Sequence, residues 1–431
     1  MTLSNAKSSG LPGKPDTDFG NDNGMAYLQD LLGRDPAFEV LALFRGIYSD
    51  LQGKTVFSAE VFHEDRYKYV LGRINADGTG DPTFADNGLR LGSFAHPASC
   101  GGGKLTVQEN GAGHIYLQGW TENLTGWSDL AIACFDQHGQ PQTSFGDNGN
   151  LIIETPSDQE LMTDSCAVHV RSDGKLLISF NYMQRNGSLI TTGVVLRLLP
   201  NGQPDTSFNG SGRWQFTLAD PLASTAINGC LSQGKSIVLA GYVRSTPGDN
   251  RAFFARLEDN GQIDTTFGDP RSPGFHYIDL TDKSTLFNAV IERPDGTLIA
   301  AGAAASKSDT SVAGLMVALT PQGSPHLMFN QGQPLLTQFD EGRDNDWSSA
   351  LAQTDNKIVL TTSKWWALVA RFNPDASLDT AFNGTGYTEA DFTVPNPPVQ
   401  LISRQDGRVI VSANITGIKP DGLGIMKCFF S

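Results

Sequence analysis

Residues 202–212 read GQPDTSFNGSG and follow the strand-like run VVLRL at 194–198. Much the same phrase returns along the chain: GKPDTDFGNDNG at 13–24, GTGDPTFADNG at 78–88, GQPQTSFGDNG at 139–149, GQIDTTFGD from 261, GSPHLMFNQG at 323–332 and ASLDTAFNGTG at 376–386. The aromatic residue of each copy, Phe19, Phe84, Phe145, Phe208, Phe267, Phe329 and Phe382, recurs at spacings of 65, 61, 63, 59, 62 and 53 residues. Self-similarity at such a period marks a repeat architecture, in which each unit buries its apolar face against its neighbours.

The segments between the phrases share one grammar. In the fourth unit the residues up to 234 lead to a turn at Gln233-Gly234-Lys235, then IVLAG at 237–241, a polar loop at 242–250, AFFARL at 252–257 and the phrase. Elsewhere the first turn is DGK at 173–175, DGT at 295–297, DNK at 355–357 or DGR at 406–408, each just before an apolar run. Asp-Gly and Asp-Asn supply the positive-φ conformations of a tight hairpin. Each unit therefore reads as strand, hairpin, strand, variable loop, strand, fixed turn, strand, a four-stranded antiparallel sheet. The first phrase, at 13, has no strand before it, whereas the chain closes on LGIMKCFF at 423–430 with no phrase after it. Pairing the two ends completes every unit and leaves no open sheet edge. The prediction is an all-β, seven-bladed β-propeller spanning 1–431 as a single domain, its last blade built from both termini.

Composition narrows the partners. The 431 residues include 47 Gly and 22 Pro with only 18% charged residues, which suits short strands joined by turns. Against 46 Asp+Glu there are 31 Lys+Arg, a formal charge of −15, which repels phosphate backbones and anionic membranes. No nucleic-acid partner and no membrane insertion are expected. The opening MTLSNAKSSGLPGKPDTDFG lacks the apolar core of a signal peptide. The expectation is a monomer that stays cytoplasmic or leaves by a route without a cleavable signal. The cysteines, Cys100, Cys134, Cys166, Cys230 and Cys428, are odd in number and lack CxxC spacing, so they read as small buried hydrophobes. No cofactor and no metal are expected, since neither the histidines nor the phrase shows ligand spacing.

The pattern hxxARhxxxGxxDxxFxxxG, recurring about every 60 residues after an xxDGKhhhhG hairpin, resembles the bacterial delta-60 repeat across essentially the whole chain. The resemblance implies a β-propeller of largely uncharacterised function, and it brings no catalytic residues.

A covariation within the chain explains the fidelity of the phrase. Arg73, Arg197, Arg256 and Arg371 stand on the third strands, and Asp81, Asp205, Asp264 and Asp379 follow eight residues later. Where the arginine is missing, at Cys134 and Ala318, the partner positions hold Gln142 and His326. A charge-assisted Arg–Asp hydrogen bond that clasps turn to strand accounts for this, because a lone buried partner is costly. The wrapped unit breaks the rule, with Asp16 present and Cys428 at the arginine position. The Phe of each phrase is expected between blades, with positive φ at the glycine that follows.

Function is then sought in what differs between units. The loop after the second strand and the link from the fourth strand to the next blade fall on one face. There WTENLTGW places Trp120 and Trp127 around a hairpin loop, and Trp365 and Trp366 occupy the corresponding loop of a later blade. Indoles at loop tips make platforms for sugar rings or for a partner's apolar patch. The link FDEGRDNDW at 339–347 adds Asp340, Glu341, Asp344, Asp346 and Trp347, and the link at 157–164 adds Asp158, Glu160 and Asp164. The segment 25–40, MAYLQDLLGRDPAFEV, reads as a surface insertion, with a short helix or channel cover as the alternative. FAHPASCGGGK at 94–104 reads as a flexible loop, since no GxxxxGK[ST] pattern accompanies its glycines. Two functions stay open. One is a non-catalytic scaffold binding a protein or a carbohydrate through Trp120, Trp127, Asp344, Asp346, Trp347, Trp365 and Trp366. The other is a glycan-active hydrolase or lyase using loop carboxylates near the channel. No catalytic residue can be named, because no nucleophile elbow or HExxH motif is present.

Overall fold

The computed structural model describes residues 10–20, 24–33, 42–50, 52–95, 98–108, 113–185, 190–218, 223–246, 248–339, 345–362, 367–389, 400–415 and 423–431. Seven four-stranded antiparallel blades form a ring, a seven-bladed β-propeller. Blade 1 comprises Ala42–Ser49, Thr55–His63, Arg66–Ile74 and Leu89–Gly92, and blade 2 Cys100–Val107, Ile115–Glu122, Ser128–Phe135 and Asn150–Ile153. Blade 3 has a first strand in two pieces, Gln159–Leu161 and Ala167–Val170, before Leu176–Gln184, Thr191–Leu198 and Arg213–Gln215. Blade 4 is Ser224–Gln233, Ser236–Arg244, Asn250–Leu257 and Phe275–Tyr277, and blade 5 is Lys283–Glu292, Leu298–Ser306, Val312–Leu319 and Leu335–Thr337. Blade 6 runs through Trp347–Ala352, Ile358–Thr362, Leu368–Phe372 and Tyr387–Glu389.

Blade 7 takes Gln400–Ser403, Val409–Ile415 and Leu423–Phe429 from the C-terminal end, and its outer strand, Met25–Tyr27, from the N-terminal end. Met25, Ala26 and Tyr27 pair antiparallel with Lys427, Met426 and Ile425. The segment from 25 is thus not an insertion at its start. It completes a blade, and a single helical turn, Leu28–Leu31, follows it. Leu28 and Leu32 are buried in the core between blades 7 and 1, so this turn seals a blade junction rather than covering the channel. Residues 34–40 lie outside the described residues.

Buried apolar side chains fall into clusters that each span two neighbouring blades. The outer blade face of one sheet thus covers the inner face of the next, as stacked repeats require. The first strands line the centre, and bulges interrupt several of them at one level, at Arg45, Asn228, Asn288 and Ser348. CGGGK is not a loop. It lies in the first strand of blade 2, and its glycines admit blade 1, since a Cβ on Gly102 would stand 2.9 Å from the carbonyl oxygen of Ala59.

Candidate functional site

The hairpin turns and the repeated phrases share one face of the ring, the turn face. Each phrase folds back on its own third strand. Arg73 Nε donates to Asp81 Oδ2 at 2.7 Å, Arg197 to Asp205 at 2.7 Å, Arg256 to Asp264 at 2.8 Å and Arg371 to Asp379 at 2.7 Å. The second carboxylate oxygen of each aspartate accepts the main-chain N–H two residues on, at Thr83, Ser207, Thr266 and Ala381. The same guanidinium groups lie 4.7–5.0 Å above the rings of Phe84, Phe208, Phe267 and Phe382. Burial alone would raise the Asp205 carboxyl. Hydrogen bonds from Ser207 and Lys175 and the charge of Arg197 outweigh it and hold the group well below the usual carboxylate range. Asp81, Asp264 and Asp379 are lowered in the same way.

A second cation reaches these aspartates from the hairpin turn. Lys54 Nζ stands 2.7 Å from Asp81, Lys175 2.9 Å from Asp205 and Lys357 3.2 Å from Asp379. In the wrapped blade this position is Arg408, whose Nε lies 2.6 Å from Asp16. The aspartate that lacks an arginine on its own third strand is therefore paired after all, from the neighbouring strand. In blade 2, where Gln142 replaces the aspartate, His114 holds that position and its Nε2 lies 3.0 Å from the Gln142 amide nitrogen.

The phrase also ties each blade to the next. The residue after each Phe has positive φ, from Gly20 to Asn383, and its N–H points at a turn carbonyl of the following blade. The bonds are Gly20 to Asp77, Ala85 to His138, Gly146 to Asn201, Asn209 to Asn260, Gly268 to Gln322, Asn330 to Asp375 and Asn383 to Pro12, at 2.6–3.2 Å. All the Phe side chains are buried. Six of them meet a glycine of the next turn, as at Gly261 (φ +85°), where a Cβ would come within 2.9 Å of the Phe208 ring, and Phe329 meets Ala376 instead. At five junctions an arginine caps the carbonyl one residue earlier in that turn. Arg73 reaches Gln137 O at 2.9 Å, and Arg197 and Arg256 reach Asp259 O and Pro321 O. In the units with Ala318 and Cys428 at the third-strand position, an arginine at the end of the first strand substitutes, Arg293 to Pro374 O at 2.9 Å and Arg404 to Ala76 O at 2.5 Å.

The opposite, loop-bearing face carries the residues singled out for binding. Asp344, Trp365 and Trp366 lie outside the described residues, as do Asp340 and Glu341. Trp127 is 39% exposed, with the Arg185 guanidinium 4.0 Å over its ring. Trp120 is half-buried, and its indole N–H donates to Glu60 Oε2 at 3.2 Å. Asp346 accepts from Asn288 Nδ2 at 2.7 Å. Trp347 is fully buried, donates to Thr337 Oγ1 at 3.0 Å and packs edge-on to Phe339 and Phe372. It offers no surface to a ligand, because it fills the core between blades 5 and 6.

A polar cluster beside the channel escaped the sequence reading. Arg45 lies 3.0 Å from Glu60 and 3.5 Å from Asp164. A cavity of about 30 Å³ beside them is lined also by Lys104, Gln118, Trp120 and Cys166. Burial pushes the Lys104 ammonium down to about 8, against the charge of Asp164. With its two cations matched by two carboxylates, and room for little more than a water molecule, this pocket is a polar seam between blades 1, 2 and 3. The sequence singles out Trp120 and Asp164 separately, but nothing in it joins them to Arg45, Glu60 and Lys104. All five cysteines are free, and burial holds the thiols of Cys134, Cys166, Cys230 and Cys428 at about 12. Among the described residues no group of three or more His, Cys, Asp and Glu is placed to hold a metal ion, and no helix is long and apolar enough to cross a membrane.

A comparison with curated proteins finds no match. Among solved structures, a protein of unknown function from Dyadobacter fermentans is 11% identical with a TM-score of 0.46, over 92% of this chain and 100% of its own. The Dos1 propeller is 11% identical with a TM-score of 0.44, over 90% and 93%. Prolyl oligopeptidase B from Galerina marginata is 11% identical with a TM-score of 0.38, over 89% of this chain and 57% of its own. A family model described as "Domain of unknown function (DUF5122) beta-propeller" matches residues 171–208 and 235–267, which carry the hairpin, third strand and phrase of blades 3 and 4. Together with the seven-bladed ring, that match marks the chain as a propeller-repeat protein.

Proposed function

We propose that the protein is a non-catalytic binding scaffold of the bacterial delta-60 repeat type, acting as a monomer and holding a protein or glycan partner on its loop-bearing face. The observation that supports this reading is the segregation of the two faces. The bonds common to every junction, the N–H contacts after each Phe, lie on the turn face, where the arginine clasps also stand. The other face carries links and loops that differ from blade to blade, and binding residues concentrate on such loops over a rigid scaffold. Among the described carboxylates of this face, Glu60 is engaged by Arg45 and Trp120, and Asp346 by Asn288.

Probing a glycan array and a protein microarray with the purified protein, and then assaying any captured glycan for cleavage, tests the reading. Binding without product release is the expected outcome. Product release that disappears on changing Asp344 and Asp346 to Asn would overturn it in favour of a hydrolase or lyase.

A further inference from the structure

Between blades 4 and 5 the loop-bearing face opens into a groove of about 460 Å³, within the range of small-ligand sites. Two ion pairs fix its walls. Arg251 at the start of a blade 4 strand lies 2.5 Å from Asp279 in the link to blade 5, and Lys307 of blade 5 lies 2.5 Å from Asp249 of blade 4. The Lys307 main-chain N–H also bonds to Asp282 O at 2.9 Å, and Arg251 stacks 4.3 Å over Tyr277, so these side chains are held in place across the blade junction. Asn250 stands between the two pairs. Its N–H is bonded to Ser284 Oγ at 3.0 Å, while its buried Oδ1 has no hydrogen-bond partner. Val243, Ile278 and Leu280 supply apolar surface to the same groove.

We infer that this groove binds neutral hexose units of a glycan, a proposal that rests on the glycan form of the function proposed above. Four of its five charged side chains are paired with each other, Arg251 with Asp279 and Lys307 with Asp249, and the fifth is Lys283. A charged ligand engaging either pair would have to take one member from the other, an exchange that gains little because both pairs already stand in water. A vicinal diol does not. Its hydroxyls donate to carboxylate oxygens and to Asn250 Oδ1 and accept from Arg251 and Lys307, so both members of each pair stay neutralised. The C–H face of the sugar then covers the apolar residues. Asn250 Oδ1 gains the donor that it lacks in the free protein.

Saturation-transfer NMR on the whole protein with the methyl glycosides of glucose, galactose and mannose tests this, with glucuronate and inorganic phosphate as anionic probes. A neutral glycoside should receive saturation, and calorimetry should show its affinity falling about tenfold or more in Asn250→Ala and in Asp279→Asn. Both ion pairs are solvent-exposed, so Asp279→Asn should keep the wild-type unfolding midpoint, which separates lost binding from lost folding. Saturation of glucuronate or phosphate alone would overturn the proposal in favour of an anion site. If the wild type binds arrayed glycans and both variants bind them equally well, the groove is excluded while the binding face stands. No glycoside response and a blank glycan array together would remove both the groove and the glycan form of the wider reading.

Discussion

The turn face and the loop face are ends of the same strands, yet one repeats and the other does not. On the turn face every phrase must satisfy two sets of partners, its own third strand and the turn of the next blade, and the ring imposes that demand at each junction. In blade 5 and the wrapped blade the contact is kept while the residue changes. Arg293 and Arg404 cap the next turn where the third strand offers Ala318 or Cys428, and Arg408 pairs with Asp16 where the usual arginine is missing. The loop face has no such common partner, so its chain lengths and charges are free to serve a ligand. The contrast yields predictions of graded size.

The largest effect is expected on the turn face. Arg197 is 1% exposed and joins Asp205, Asp259, Ser207 and the Phe208 ring. Arg197→Met strands a buried carboxylate beside Lys175 alone and should cost about 3 kcal/mol or more. The double change Arg197→Met/Asp205→Asn should recover about 1 kcal/mol or more of that loss, because the buried charge is gone and only the part-exposed Lys175 loses a partner. Urea midpoints measure both. Equal losses in the single and double variants would show that the pair is uncoupled.

A smaller effect should appear with pH. The four clasp aspartates sit below the usual carboxylate range, whereas an unfolded Asp titrates near about 3.9. Below that pH the unfolded chain binds more protons than the folded one, so stability rises with pH there. The contribution is present in full above the unfolded value and is lost as pH falls through the depressed folded values. The urea midpoint should therefore hold from pH 7 to pH 5 and drop below about pH 4. Asp205→Asn should begin lower at pH 7 and drop less steeply. Parallel curves would show that this carboxylate is not a source of the acid sensitivity.

How much of this was legible follows from where each partner sits in the chain. Arg and Asp of one clasp lie eight residues apart in one strand-turn unit, so their joint presence or absence could be seen. Arg408 could not be assigned, because its partner Asp16 is brought near only by closure of the ring, although cations at Lys54, Lys175 and Lys357 mark the same register. Trp347 follows the acid-rich run DEGRDND and so resembled a loop-tip indole, whereas Phe339 and Phe372 bury it through tertiary packing. The CGGGK run has little β propensity of its own, and its strand conformation comes from the close approach of blade 1. Met25–Tyr27 is too short to show alternation, and only its partner Leu423–Phe429 makes it a strand. The groove between blades 4 and 5 draws on residues of two blades, with no shared motif to point to it.

The smallest effect belongs to the loop face, at Trp127. Its ring is the one described indole with substantial exposure, and Arg185 occupies one side of it while also donating to Ser157 O at 3.0 Å. An exposed cation–π contact of this kind is worth about 0.5–1 kcal/mol, so Trp127→Ala should lower stability by no more than about 1 kcal/mol. Its effect on partner binding separates two roles. If the indole is a platform, Trp127→Ala abolishes binding, whereas Arg185→Ala frees the covered side and strengthens binding by up to about fivefold, the equivalent of the released contact. If both variants weaken binding alike, the indole serves only to hold Arg185 and the link at 157–158 in place, and the ligand contacts belong elsewhere on the face.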